Sequence, residues 1–446
     1  MNIIVCIIVF IVINALALHL LSTRRSFTLK NPLKSSATLD FTGVECFIIL
    51  TLACAPINAS IGRFIQLLRL ILWMIFIIWG ICKVRQESLY TDKNASQIII
   101  TLYTLLLCYY VLDLLRTPVP WFGFRVFMKY LTPWLILLFV PRAINNELIV
   151  HKSIQVICWV YSAIAIYFMI HFIGAGILLS PLSGLLYWPP ALMDSLSIAI
   201  PAFVIAYFEF QKPKLLLVGI GMLVIIPIVG AVRTGVGAVI ISCTGMALFH
   251  YRIKALPLLV ITLAFTIFLF THVESLREKS FGNNADFDIS YSDFSIIQHM
   301  NNNGRELLWQ SLLEKFYQPS PLMGSGIGIT QSYLYHLRFD LGSNTAAATH
   351  NDYVQMLCDN GLLSCVLYLM IGLGMVVHCF FIYNSVSHSH LCRIAAFLAG
   401  SSMCGYIGAM FTDNVITYTM TTLVYPYVFY GMALGLARLP KSNSPT

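Results

Sequence analysis

Charge is scarce in this chain. Only 10% of its 446 residues are Asp, Glu, Lys or Arg, against roughly 25% in an ordinary soluble protein. Apolar and aromatic residues make up 58%, and mean hydropathy is +0.81. That balance excludes an ordinary cytosolic enzyme, and the abundance of apolar residues excludes a disordered chain. Paired cysteines are lacking too. The 12 Cys include no CxxC pair, and the largest hydrophilic stretch, 273–354, contains none, which argues against a disulfide framework or a zinc site. The Lys and Arg form no stripe, so the net charge of +8 does not point to nucleic acid. No basic n-region precedes the apolar residues 1–22 and no small-x-small site follows them, so a removable signal peptide is not expected. No internal repeat is evident, which weakens an inverted-repeat transporter reading, and no low-complexity tract exists beyond the polar tail Lys441–Thr446.

What is present is a succession of apolar runs, near 3–22, 38–56, 64–82, 97–115, 122–141, 153–179, 194–210, 215–232, 235–251, 255–272, 362–386, 392–411 and 417–437. At roughly 20 residues per crossing, these give an all-α polytopic membrane protein of 12–13 helices. Arg24, Arg25, Lys30 and Lys34 follow the first run, and about 16 of the 27 Lys and Arg fall in alternate short loops. The positive-inside rule then puts the N-terminus outside, residues 273–354 outside and the C-terminus in the cytoplasm. Three parts are expected: N-terminal spans over 1–272, an outer segment over 273–361, and C-terminal spans with a short tail over 362–446.

Chemistry must come from polar residues set against this background. Asn303 and Glu306 have capping-box spacing and predict an amphipathic helix to about Tyr317, resting on the membrane or on the bundle and ended by Pro319 and Pro321. Gly324-Ser-Gly-Ile-Gly328 predicts a close-packed turn. No strand precedes it and no Lys-Ser/Thr follows, so it is not a nucleotide-binding loop. Thr349 is the expected N-cap of a second helix reaching about Asp359, with Asn360-Gly361 as a turn or kink. Asp286 and Asp288 read as a solvated loop.

Three residues are singled out. Arg233 stands in Gly230-Ala-Val-Arg-Thr-Gly-Val-Gly237 at the end of an apolar run. It either snorkels to the headgroups or binds an anion that the small neighbours allow close to the backbone. Arg305 falls in the first turn of the amphipathic helix, where a cation opposes the helix dipole. It is either an exposed surface arginine or part of an anion site shared with free backbone N–H groups. His350 would open the second helix, where the dipole favours a neutral imidazole able to accept a proton. The alternative is a structural histidine, as expected for His171, His272, His378, His388 and His390. Arg69, Asp113 and Lys129 are candidate intramembrane charges. Tyr187, Trp188, Trp309 and Tyr353 are candidate surfaces for stacking on sugar.

Taken together, Gly304-Arg-Glu-Leu-Leu-Trp309, Pro321-Leu-Met-Gly-Ser-Gly-Ile-Gly328 and Thr349-His-Asn-Asp-Tyr-Val-Gln-Met-Leu-Cys-Asp-Asn-Gly-Leu-Leu363 resemble the signature of the O-antigen polymerase and O-antigen ligase superfamily, and Arg233 resembles that family's arginine at the outer end of a preceding span. The motif-bearing likeness covers roughly 225–385. It implies a metal-independent glycosyltransferase of GT-C type in the bacterial inner membrane, without cofactor, its site facing the periplasm. The implied partners are an undecaprenyl-pyrophosphate-linked oligosaccharide, membrane lipid and, as a further option, a chain-length regulator protein. By the same resemblance Arg233 and Arg305 would hold the pyrophosphate and His350 would assist the acceptor hydroxyl. A polymerase is the preferred reading, a ligase to lipid A core the alternative, and a flippase that binds without reacting the third.

Overall fold

The computed structural model describes residues 3–23, 27–30, 38–56, 63–83, 95–178, 194–210, 233–255, 305–341 and 348–439, with isolated positions between 214 and 223 and between 257 and 272. Among the described residues the fold is all-α apart from one pair of antiparallel strands. The helices are α1 (Ile3–Ser22), α2 (Gly43–Cys54), α3 (Arg63–Lys83), α4 (Ala95–Arg116), α5 (Pro120–Ala143), α6 (Ile149–Leu178), α7 (Leu196–Glu209), α8 (Arg233–Tyr251), α9 (Arg305–Leu312), α10 (Ile329–Leu341), α11 (Asp352–Asn384), α12 (His390–Ala409) and α13 (Val424–Leu436). Among the described residues six helices are long and apolar enough to cross a membrane, and five shorter apolar helices accompany them. The chain is a multi-pass membrane protein.

The bundle is built around α12, which packs on α7, α8, α11 and α13. Small residues permit the approach: a Cβ at Gly405 would come within 2.9 Å of Ala238 O and the Ser197 side chain, the close packing that membrane helices use in place of a hydrophobic drive. Polar side chains then cross-link helices inside the bundle. Tyr110 Oη and Ser364 Oγ are 2.6 Å apart, His378 Nδ1 and Tyr430 Oη 2.7 Å, and Tyr425 donates to Leu52 O at 3.1 Å. In α5, Pro133 removes a backbone donor, and the Tyr103 hydroxyl supports the same stretch by donating to Tyr130 O at 2.9 Å.

Polar contacts sort to the two ends. At one end Glu209 lies between His151 and His390 (3.2 and 2.9 Å), Arg252 donates to Asn384, and Glu45 accepts from the backbone N–H groups of Asn145 and Asn146. At the opposite end of the same helices lie Asp113, Asp194, Thr234, His350 and Asp413. This sorting is what alternating spans require.

Three sequence expectations are corrected. The run 38–56 is not one helix. Thr38–Phe41 pairs antiparallel with Phe27–Lys30, and α2 starts only at Gly43 because Thr42 and Glu45 form a reciprocal capping box. The run 417–437 is helical only from Val424. Ahead of it the Thr419 and Thr422 hydroxyls donate to Ile416 O and Val415 O, giving the backbone an alternative to the helical ladder. Thr349 does not cap α11. That cap is Asn351, whose side chain accepts from the N–H groups of Tyr353 and Val354, both at 3.0 Å.

Candidate functional site

The three motif segments form one body. α9 continues as a π-helical turn, Leu313–Tyr317, and ends ahead of Pro319 and Pro321. Its apolar face rests on the bundle: Leu312 and Phe316 are buried against Val354 and Cys358 of α11. Asn303 of the expected capping box lies outside the described residues. From α9, Trp309 Nε1 donates to Thr349 O at 2.7 Å, which ties the Gly-Arg-x-x-x-Trp segment to the residue beside His350. Trp309 is thus engaged by its indole N–H. Tyr353 is buried, its hydroxyl donating to Ile407 O and its ring 4.4 Å from that of Phe411, so it packs the bundle and offers no open stacking face.

The glycine-rich turn locks onto α11 from the other side. Ser325 and Gly326 donate to Cys358 O and Asp359 O at 2.9 and 2.8 Å. Asp359 accepts from the N–H groups of Gly328 and Thr330 and from the Thr330 hydroxyl. Asp113 accepts from Ile327 N and from Asn360 Nδ2, at 2.9 and 2.5 Å, and pairs with Arg116. Two buried carboxylates thus occupy the N–H groups that a phosphate loop would present, and the turn is the close-packed one expected. Gly324 (φ +66) and Gly361 (φ +74) interlock: a Cβ on the first would meet the backbone of Asn360 and Gly361 at 2.5 Å, and a Cβ on the second would strike Leu322 and Met323. Gly361 also breaks the helical dihedrals inside α11 (ψ −175), so the kink falls where Asn360-Gly361 signalled it.

His350 stands at the corner of this body. With Asn351 as cap, His350 lies outside the helix, not in its first turn, and holds a left-handed φ of 51, a conformation uncommon for a residue with a Cβ. Its side chain is 28% exposed, while Nδ1 is buried and directed at Asp413 Oδ1, 3.6 Å away. That distance is an ion-pair approach and too long for a hydrogen bond. The other Asp413 oxygen lies 3.4 Å from the Thr234 hydroxyl. Thr234 follows Arg233 in the first turn of α8, and Arg305 opens α9 one turn before Trp309. The side-chain placements of both arginines lie outside the described residues. The structure therefore brings the chain positions of Arg233, Arg305 and His350 to one end of the bundle, joined through Thr234–Asp413–His350 and Trp309–Thr349.

Carboxylates around His350 are what the sequence reading missed. Asp352 is buried and accepts from Ile416 N at 2.9 Å, while its own N–H donates to Met410 O. Thr349 donates to Asn414 Oδ1 at 2.8 Å. These bonds fasten the His350 corner to the 410–416 connection between α12 and α13. Asp194, just ahead of α7, is fully buried, and its carboxyl oxygens have no hydrogen-bond partner among the described residues. The available signal was scarcity: only 19 Asp and Glu occur in the chain, and Asp194 and Asp413 both stand at the ends of apolar runs. Of the intramembrane charges, Asp113 holds the glycine turn and Lys129 donates to Thr417 Oγ1 at 3.3 Å. Asp286, Asp288, Tyr187 and Trp188 lie outside the described residues.

Residues 156–369 match the family described as O-antigen ligase. This match spans α6 to the middle of α11, includes Arg233, Arg305 and His350, and supports a likeness to the O-antigen ligase and polymerase superfamily. Members of that family are glycosyltransferase-like enzymes. No curated protein matches the chain.

Proposed function

We propose that the protein is an O-antigen polymerase that moves a glycan from undecaprenyl pyrophosphate onto the sugar of a second lipid-linked repeat unit at the periplasmic face of the inner membrane. The observation that supports it is the His350 corner. Nδ1 of His350 is turned to the Asp413 carboxylate, which leaves Nε2 for the acceptor hydroxyl. In this reading Nε2 takes the proton as the hydroxyl oxygen attacks the anomeric carbon, and Asp413 stabilises the imidazolium that forms. The bond to the pyrophosphate oxygen breaks as the new glycosidic bond forms, so a single displacement inverts the anomeric centre.

Pyrophosphate is already a good leaving group, so the reaction asks the protein chiefly to stabilise charge on the departing oxygens. Arg233 and Arg305, at the first turns of α8 and α9, are assigned that role. Guanidinium groups beside low-dielectric lipid suit it, because they stay charged and bind phosphate through a planar fork. Transfer in this account needs no metal.

The ligase alternative has one observation in its favour, the description of the matching family as O-antigen ligase. Lipopolysaccharide from a strain lacking the gene separates the two. Core bearing a single repeat unit is the expected result and means polymerase. Bare core, with long polymer retained on the undecaprenyl carrier, would mean ligase.

A further inference from the structure

The turn at 321–324 belongs to a segment that the sequence assigns to the aqueous side, yet its construction is that of backbone in contact with lipid. We propose that this turn is immersed at the hydrocarbon boundary of the leaflet on the His350 side, with Leu322 and Met323 facing bilayer acyl chains.

Two independent observations carry this. The first is exposure. Leu322 is 67% and Met323 48% exposed, although residues 321–328 carry no charged side chain. The turn is joined to two membrane-spanning helices, since Met323 O accepts from Arg116, the last residue of α4, and Pro321 O from Leu362 N, within α11 just past its kink. Leu115, Leu362 and Leu363 beside these junctions are exposed as well, so the apolar surface of the spans continues onto the turn. A charge-free apolar surface continuous with lipid-facing helices is covered by lipid at little cost, whereas water would meet it unfavourably.

The second observation is the state of the backbone. Irregular chain is tolerated at hydrocarbon depth only where its polar groups are satisfied by protein. Three consecutive carbonyls meet that condition. Pro321 O accepts from Leu362 N at 2.8 Å and Leu322 O from Leu363 N at 3.4 Å. Met323 O accepts from Arg116 Nη2 at 2.6 Å, and the Tyr109 hydroxyl is shared between Asn360 O at 2.8 Å and Met323 O at 3.0 Å. Next to them Gly324 N–H donates to Ser320 O at 2.7 Å. The carbonyls of the turn are thus paired within the protein. Arg116 fits the same depth: its guanidinium serves the turn from a helix end, the position at which long cationic side chains reach the headgroups.

Photocrosslinking tests this without reference to glycosyl transfer. Benzoylphenylalanine is placed at position 322 in the full chain, reconstituted in vesicles of phosphatidylethanolamine and phosphatidylglycerol, and irradiated. Position 370, where Met370 is exposed in the middle of α11, serves as the lipid-facing reference, and position 310, where Gln310 is exposed on α9, as the aqueous one. The expected result is a phospholipid-mass adduct at 322 and 370 that exceeds the yield at 310. An adduct at 370 without one at 322, or equal yields at 322 and 310, would overturn the proposal.

Discussion

His350 Nδ1 and Asp413 Oδ1 face each other across 3.6 Å, with the imidazole nitrogen buried and the carboxylate nearly so. The carboxylate faces the ring one step short of a formed hydrogen bond, and the proposed mechanism gives it the work of orienting the imidazole. Catalytic hydrogen bonds are often long in an unliganded enzyme and tighten with substrate. Asp413→Asn should therefore lower kcat by ~10-fold or more, an orienting carboxylate being worth up to about 10⁴ in a His-centred triad. The donor KM should stay unchanged. Steady-state kinetics on the purified variant check this, and an unaltered kcat would show that Asp413 does not act through His350.

The cap of α11 gives a stability prediction. Asn351 Oδ1 satisfies two orphan N–H groups at the start of the helix. Asn351→Ala should cost about 1 kcal/mol, read as a lowered unfolding midpoint in detergent. Thr349→Ala should not reproduce a cap loss, because Thr349 bonds to Asn414 and not to the helix N-terminus. If Thr349→Ala carried the signature of cap loss and Asn351→Ala were silent, the assignment of the cap would be wrong.

The interlocked glycines are the least replaceable positions in the motif body. Gly324→Ala and Gly361→Ala each force a Cβ into opposing backbone at a positive φ. Each should destabilise by more than the ~1 kcal/mol that a compatible glycine-to-alanine change gains, measured as loss of folded, monodisperse protein after extraction. Gly237→Ala is the contrast, since a Cβ there meets nothing within 4 Å, and it should be extracted at the level of the parent.

Arg305→Lys should not restore full turnover. Lysine keeps the charge but loses the planar fork that binds two phosphate oxygens at once. Donor turnover by this variant equal to that of the parent would mean that charge alone suffices at that position.

Much of this architecture is legible in the sequence because bulk hydrophobicity and turn chemistry are local. The spans, the proline-terminated α9, the tight glycine turn and the kink at Gly361 all follow from residues near one another. The cap was misplaced by two residues because Thr349 and Asn351 are both competent caps, and only the long-range bonds of Thr349 to Asn414 and of Trp309 to Thr349 O decide between them. The carboxylates were missed for the same reason. Asp413 lies 63 positions after His350 in the chain, and nothing local to either announces the pairing. Asp113 was noticed as an intramembrane charge, but its work on Ile327 and Asn360 appears only once α4 and α11 are side by side. The roles of Arg233 and Arg305 rest on the family likeness and on the chain positions that the fold draws together.

The proposed role of His350 in glycosyl transfer from a polyprenyl-pyrophosphate donor is tested by donor turnover of the purified protein in detergent, comparing the parent with His350→Asn. Asparagine tolerates the left-handed backbone that position 350 adopts, so the variant removes the imidazole without adding strain. The parent is expected to release undecaprenyl pyrophosphate when acceptor is supplied, and His350→Asn to be slower by about 10²–10⁴-fold. Equal release by the two proteins would contradict that role.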